Sequence, residues 1–310
     1  MRVVVTGGAG FIGANLVRHL LDSGTADDVV VVDDLSTGDR ANLDGLDVEL
    51  AEGSILDGAL LDRALRGADA VVHLAAVPSV PRSIADPVAS HLANATGTVE
   101  VLEAVRRAGD PHLIVASSSS VYGRNPQLPK HEDLAAQPLS PYAAGKLAAE
   151  SYALAYGACY DLDVLVFRFF NVYGPLQPAG HAYAAMIPAF IDAALDERSL
   201  PVFGDGKQTR DFTYVGSVCA VLADALRRRV TSEGPVNLAF GTRRSLLEVI
   251  ELLTRVLGRA VAVEHLPSRP GDVRHSQADR ERLRELFPNV QAVPFEDGLR
   301  ETVAWFRSQR

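Results

Sequence analysis

Tyr142 and Lys146 stand four positions apart in the run Ser140-Pro141-Tyr142-Ala143-Ala144-Gly145-Lys146. Serine is a good helix N-cap and proline suits the first helical position, so the run predicts a helix start with both side chains on one face. A phenol titrating near ~10 is a poor base at neutral pH, and a neighbouring ammonium favours its phenolate. Upstream, Ser117, Ser118, Ser119 and Ser120 close the apolar run 113–116. A serine there can hydrogen-bond a substrate oxygen and relay its proton to the tyrosine. Taken alone, Tyr-x-x-x-Lys describes an exposed helical pair equally well.

A second pattern supplies the context. Thr6-Gly7-Gly8-Ala9-Gly10-Phe11-Ile12-Gly13 follows an apolar run and opens a helical pattern. Glycines at Gly7, Gly10 and Gly13 let the backbone turn tightly and approach a pyrophosphate, which the helix N-terminus attracts through its unpaired N–H groups. The next apolar run ends in Asp33, twenty residues after Gly13. An acid there can accept both hydroxyls of an adenosine ribose and would repel a 2′-phosphate; Asp34 adds to that repulsion. The expected cofactor is therefore NAD rather than NADP, and its nicotinamide would be a second positive charge favouring the Tyr142 phenolate.

These groups need a scaffold. Residues 3–5, 29–32, 70–73, 113–116 and 164–167 are short, β-branched-rich apolar runs, as expected for strands buried on both faces of a parallel sheet. Helical periodicity lies between them, at 12–21 and 88–106. Repeated strand–helix units with right-handed crossovers predict an α/β fold with a doubly wound parallel sheet, whose ligands bind at the carboxyl edge. After about Phe170 prolines and glycines mark shorter elements, with helical patterns at 218–229, 246–257, 278–286 and 295–306. The expected division is a dinucleotide-binding domain over 1–172, joined by a returning strand near 235–240, and a smaller substrate lobe over 173–310.

Composition bounds the function. The 310 residues carry 30 Lys+Arg against 39 Asp+Glu, a net charge of −9, with 47% apolar residues, which excludes disorder and argues against nucleic acid as a partner. The two cysteines, Cys159 and Cys219, are too few for a disulfide framework and sit in apolar stretches, so both are expected in the core. The eight histidines are scattered, without metal-ligand spacing, so no metal is expected. No apolar run approaches the ~20 residues that span a membrane, and glycines interrupt the apolar N-terminus too early for a signal peptide. The cytoplasm is the expected location.

With these motifs in place, the sequence resembles the extended short-chain dehydrogenase/reductases, specifically nucleotide-sugar epimerases of the UDP-hexose 4-epimerase type. The resemblance spans essentially the whole chain. It is carried by T-G-G-A-G-F-I-G, D-D-L-S-T-G at 33–38, H-L-A-A at 73–76, S-S-S-S-V-Y-G at 117–123 and Y-A-A-G-K. R-F-F-N-V-Y-G-P at 168–175, G-D-G-K-Q-T-R-D-F at 204–212 and R-P-G-D-V-R-H-S at 269–276 complete it.

The resemblance implies that Phe11, Ile12, Asp33, Asp34, Leu35, Ser36, Thr37, Gly38, Ile55, Leu74, Ala75, Ala76 and Phe170 line the NAD. Ser54 stands where relatives often carry an acid at the adenine edge, which puts one adenine hydrogen bond in question. The catalytic serine implied is Ser118, with Ser119 as second candidate. Arg210 and Arg269 match diphosphate-gripping positions, Asp272 a uridine-ribose contact, and Asn171 an amide near the diphosphate or sugar. Val202 and Phe203 match the uracil edge, and Met186 joins the substrate contacts. A small residue at Ser276, with Ser79 and Arg82, resembles the branch that accepts a 2-acetamido sugar. Glucuronate-specific relatives usually have threonine at the position of Asn171 and arginine near Pro178, and neither is present.

The implied reaction is 4-epimerisation of a UDP-hexose or UDP-N-acetylhexosamine through a transient 4-keto sugar, in a homodimer. Another NAD-dependent enzyme that modifies a UDP-sugar is one alternative, and a sugar-nucleotide 4,6-dehydratase is the other. It typically needs Asp-Glu just before V-Y-G, where this chain has Ser119-Ser120.

Overall fold

The computed structural model describes residues 1–179, 185–267 and 274–310. The first part of the chain alternates strand and helix: β1 (Arg2–Thr6), α1 (Phe11–Asp22), β2 (Asp28–Asp33), β3 (Glu49–Glu52), α2 (Gly58–Ala64) and β4 (Ala70–His73). It continues with α3 (Val80–Ala85), α4 (Pro87–His91), α5 (Gly97–Arg107), β5 (His112–Ser118), α6 (Pro141–Tyr160) and β6 (Val164–Phe169). Shorter elements follow: β7 (Val172–Tyr173), α7 (Met186–Leu195), β8 (Leu200–Phe203), β9 (Thr209–Asp211), β10 (Thr213–Tyr214) and α8 (Val215–Arg228). The last are β11 (Val236–Leu238), β12 (Arg243–Ser245), α9 (Leu246–Leu257), β13 (Val263–Leu266), α10 (Glu281–Leu286) and α11 (Phe295–Ser308).

Seven strands form one sheet in the order β11-β6-β5-β4-β1-β2-β3. Every pair in it is parallel. The doubly wound Rossmann-type sheet expected from the apolar runs is therefore present. Alternation sends Val3 and Val5 of β1 into a core with α1 and α8, and Val4 into a second core with α2, α5 and α6. Strand order reverses between β1 and β4, so the connections leaving their carboxyl ends run to opposite faces of the sheet and leave a crevice where a ligand can reach both loops. The later elements pair two by two, β10 with β7, β12 with β9 and β13 with β8. Helices α7, α9 and α11 share the α1–α8 core.

Several expectations change. The pattern at 88–106 is interrupted by a π-helical turn, Leu92–Thr96, between α4 and α5. There the Asn94 side chain bonds Val77 N and O, which links this turn to the loop after β4. Strand β3 escaped the apolar-run criterion because Glu-Leu-Ala-Glu is a half-exposed edge, charged at both ends. Helix α10 starts at Glu281 rather than 278, because Ala278 N donates to Asp211 and the Asp279 carboxylate caps Glu281 N. The returning strand is shorter than its apolar run, Val236–Leu238 beside β6. Cys219 is in the core as expected, but Cys159 is exposed on α6.

Candidate active site

The glycine loop is shaped by steric necessity. Gly7 has φ +71, and a Cβ on it would lie 2.7 Å from Ala75 N, in the loop after β4. On Gly13 a Cβ would lie 2.1 Å from Gly7 O, so only glycine lets α1 pack this closely on the turn. Helix α1 begins with Gly10 as N-cap, and no side chain caps it. Its first-turn N–H groups thus meet the loop without a competing side-chain acceptor, an arrangement suited to a phosphate.

Asp33 closes β2 beside this loop. One carboxylate oxygen accepts from Ala9 N at 2.9 Å and the other from Leu35 N at 2.9 Å, which aims the group while leaving lone pairs for two hydroxyls. Burial raises its pKa, and the backbone donors oppose that. Gly38 packs against both, its ideal Cβ 3.0 Å from Asp33 Oδ1 and from Ala9 C. Asp34, Ser36 and Thr37 are exposed beside it, with Leu35 and Gly38 partly so. Phe11, Ile12, Leu74, Ala75 and Ala76 are partly buried around the crevice. Glycine turn, uncapped helix end and oriented acid together fit a dinucleotide whose adenosine ribose has free hydroxyls.

Tyr142, Lys146 and Ser118 come together at the carboxyl end of β5. Ser140 caps α6 by accepting from Ala143 N, with Pro141 in the first turn, as the sequence predicted. Ser118 stands against the Tyr142 hydroxyl and favours its phenolate. Ser118 Oγ in turn accepts from Ser120 N at 3.1 Å and Ser120 Oγ at 2.9 Å, which leaves its own proton for Tyr142. Lys146, 5% exposed, donates from Nζ to Ala116 O at 2.9 Å. Burial pushes Lys146 down to about 8 and raises Tyr142, with Ser118 opposing the rise. The polypeptide by itself thus disfavours both charged forms; the sequence suggests that Lys146 and the nicotinamide together lower the phenol.

Other expected residues divide by burial. Phe170 and Val202 are wholly buried, Phe170 against Tyr122 and Val202 in the main core, so neither presents surface to a ligand. Ile55 is likewise buried, among the α2–α5 side chains. Ser54 caps locally by accepting from Leu56 N. Ser79 has φ 99 and accepts from Arg82 N as the N-cap of α3, while Arg82 is exposed. Ser119 lies in the turn beyond Ser118 and is partly buried. Asn171 is exposed with φ 29, its side chain donating to Asp211 O. Ser276 N donates to Thr209 O, next to Arg210, so the structure brings these two together. Phe203 and Met186 are partly buried. Arg269 and Asp272 lie outside the described residues.

Sequence reasoning passed over the polar groups that hold the loops. Asn42 Nδ2 donates to Ala9 O at 2.8 Å, tying the glycine loop to the segment between β2 and β3, and Asn15 Nδ2 donates to Pro175 O at 2.9 Å, tying α1 to the loop after β7. His73 bridges Thr6 Oγ1 at 2.7 Å and Thr98 Oγ1 at 3.0 Å. Burial, with the Lys146 charge, pushes it down to about 3, so it is neutral. A polar residue closing an all-apolar strand run was the signal available for His73.

Comparison with known proteins follows the same lines. The family described as "NAD dependent epimerase/dehydratase family" matches residues 3–239. The chain belongs to that family. It is 38% identical to the UDP-glucose 4-epimerase of Mycolicibacterium smegmatis, covering 100% of this chain and 99% of the relative. It is 36% identical to the dTDP-glucose 4,6-dehydratase of Streptomyces niveus, over 100% and 94%. Among solved structures, the UDP-N-acetylglucosamine 4-epimerase of Methanobrevibacter ruminantium, in complex with UDP-N-acetylmuramic acid, superposes with a TM-score of 0.94. That structure is 37% identical, over 100% of this chain and 99% of its own.

Proposed function

We propose that the protein is an NAD-dependent 4-epimerase of a UDP-hexose or UDP-N-acetylhexosamine. The observation that carries this is the meeting of Ser118, at the carboxyl end of β5, with Tyr142 and, one helical turn on, Lys146 of α6. Ser118 would orient the sugar 4-hydroxyl, and Tyr142 would take its proton directly or through Ser118. Lys146 holds α6 to β5 through Ala116 O and sets the local charge. The glycine loop would hold the pyrophosphate, Asp33 the adenosine ribose, and the loop at 74–76 the nicotinamide side. NAD there supplies the hydride acceptor and donor, so that carbon 4 is oxidised and then reduced from its other face. Tyr142 would return the proton to the new alcohol.

The substrate lobe is proposed as 173–310 without β11, with Arg210 and Arg269 on the diphosphate and Asp272 on the uridine ribose. Bidentate arginine contacts anchor the diphosphate, and the small Ser276 leaves the sugar room to turn over and to carry a 2-acetamido group. A 4,6-dehydratase is disfavoured, because elimination of water needs an acid–base pair where this chain has Ser119 and Ser120. We also propose a homodimer through α4 to α6, supported by apolar side chains left exposed there: Val88 at 66%, Leu92 at 42%, Tyr152 at 48% and Tyr160 at 47%. A monomer at micromolar concentration in light scattering would overturn that part. The proposed location is the cytoplasm, which suits the exposed free thiol of Cys159.

The test is incubation of the purified protein, without added cofactor, with a panel of UDP-sugars and resolution of the products by NMR. Epimers at carbon 4 with no net NADH are expected, and Tyr142→Phe should lower turnover by roughly 10²–10⁴-fold while retaining NAD. A stable 4-keto-6-deoxy product, or near-wild-type turnover in Tyr142→Phe, would overturn the proposal.

A further inference from the structure

Three consecutive residues of β5 each grip one residue along a single face of α6. Ala116 O accepts from Lys146, Ser117 Oγ donates to Glu150 Oε2 at 2.7 Å, and Ser118 stands against the Tyr142 hydroxyl. Tyr142, Lys146 and Glu150 are spaced four apart, one per turn. Glu150 has a further partner. Arg168 of β6 meets it with a two-toothed fork, Nε to Oε2 at 2.9 Å and Nη2 to Oε1 at 2.5 Å. Ser117 and Arg168 are direct register partners across β5 and β6. Arg168 also donates to Glu132 O at 3.1 Å, and its guanidinium lies 4.7 Å from the centre of the Tyr122 ring. Glu150 is 3% exposed and Arg168 4%.

Stability alone is a weak reason to bury such a pair. Well-packed apolar side chains of similar size generally do as well, because desolvation offsets the attraction between the charges. A fork of charge-assisted hydrogen bonds does something apolar packing does not: it fixes distance and angle together. Apolar contacts tolerate small slides, whereas a slide of α6 along β5 would part Tyr142 from Ser118.

We infer that Glu150 and Arg168 are positioning residues that set the register of α6 on β5 and so hold Tyr142 against Ser118. Neither reaches the reacting atoms; both act through Tyr142. This rests on Tyr142 being the proton-transfer group proposed above.

The experiment uses the full chain with its bound nucleotide. Glu150→Leu combined with Arg168→Met removes the charges together and leaves no buried ion unpaired. With the fold and NAD content retained, kcat at neutral pH should fall about 10- to 100-fold, the penalty of roughly an ångström of misplacement, with KM within about twofold. Tyr142 ionisation, read as phenolate absorbance in difference from Tyr142→Phe, should move up by about one pH unit as the Ser118 donor is lost. Should the double variant fail to fold, Ser117→Ala and Arg168→Lys remove one tooth of the grip each, and both readouts should move the same way by less. Folded variants with wild-type kcat and wild-type Tyr142 titration would refute the inference. If the wild type turns over no UDP-sugar, the proposed activity falls, while the Tyr142 titration still decides the positioning role.

Discussion

Replacing Lys146 with methionine should make the protein inactive and, at neutral pH, slightly more stable. Burial lowers Lys146 from its ordinary 10.5 to about 8. At 1.36 kcal/mol per pH unit, keeping its charge in the folded state costs about 3 kcal/mol at pH 7. Against this stands one hydrogen bond, Nζ to Ala116 O at 2.9 Å, whose loss leaves a buried carbonyl unpaired at about 1–3 kcal/mol. The net is a gain of about 1 kcal/mol for the variant at pH 7. The sign reverses at high pH. Below about 8 both folded and unfolded wild type hold the proton, so the gap between the proteins is constant. Between about 8 and 10.5 only the unfolded state holds it, so wild-type stability rises with pH while the variant lacks that rise. By pH 10.5 the neutral lysine still donates to Ala116 and the wild type should be the more stable. Urea unfolding of the nucleotide-free proteins from pH 7 to 10.5 measures the difference, in which titrations common to both cancel. A gap independent of pH would refute the assignment of Lys146 as a buried, strained cation.

Three further outcomes are expected. Gly13→Ala places a methyl 2.1 Å from Gly7 O, so bound NAD should disappear and stability should fall by at least about 1–3 kcal/mol, checked by nucleotide content and thermal unfolding. Asp33→Asn removes the charge facing the adenosine ribose; NAD affinity should weaken by about 10- to 100-fold, the worth of a hydrogen bond to a charged group, while NADP gains relative to NAD in binding titrations. Burial raises the Asp211 carboxyl from its ordinary 3.8 to about 6, so stability is lost as pH rises between those values. In denaturant titrations across that range, Asp211→Asn should therefore lose this contribution to the pH dependence of the wild type.

Much of the scaffold was legible because its signals are local. Unbroken apolar runs are what a strand buried on both faces requires, and they located every strand of the seven-stranded sheet but β3, whose polar ends make its run look like a loop. The turn Gly7 to Gly13 and the cap Ser140-Pro141 are read within a few residues, because backbone conformation there depends on nearest neighbours. The groups that aim those motifs were not legible. Glu150 and Arg168 look like ordinary surface charges, and only pairing β5 with β6 under α6 buries them together.

What the sequence by itself determined was the inventory: a glycine turn before a helix, an acid one strand later, and a serine, tyrosine and lysine at fixed spacing. Sequence spacing sets which face of an element a side chain occupies, because helix and strand periods are constants of the backbone. Only the tertiary structure decided which serine meets the tyrosine, which aromatic residues are buried beyond a ligand's reach, and which way the charges shift. Those depend on distance through space and on exclusion of water. Tyr142 shows the difference. Its place beside Lys146 follows from a helical turn, but the rise in its pKa follows from the protein packed around it, and Ser118 opposes that rise from strand β5.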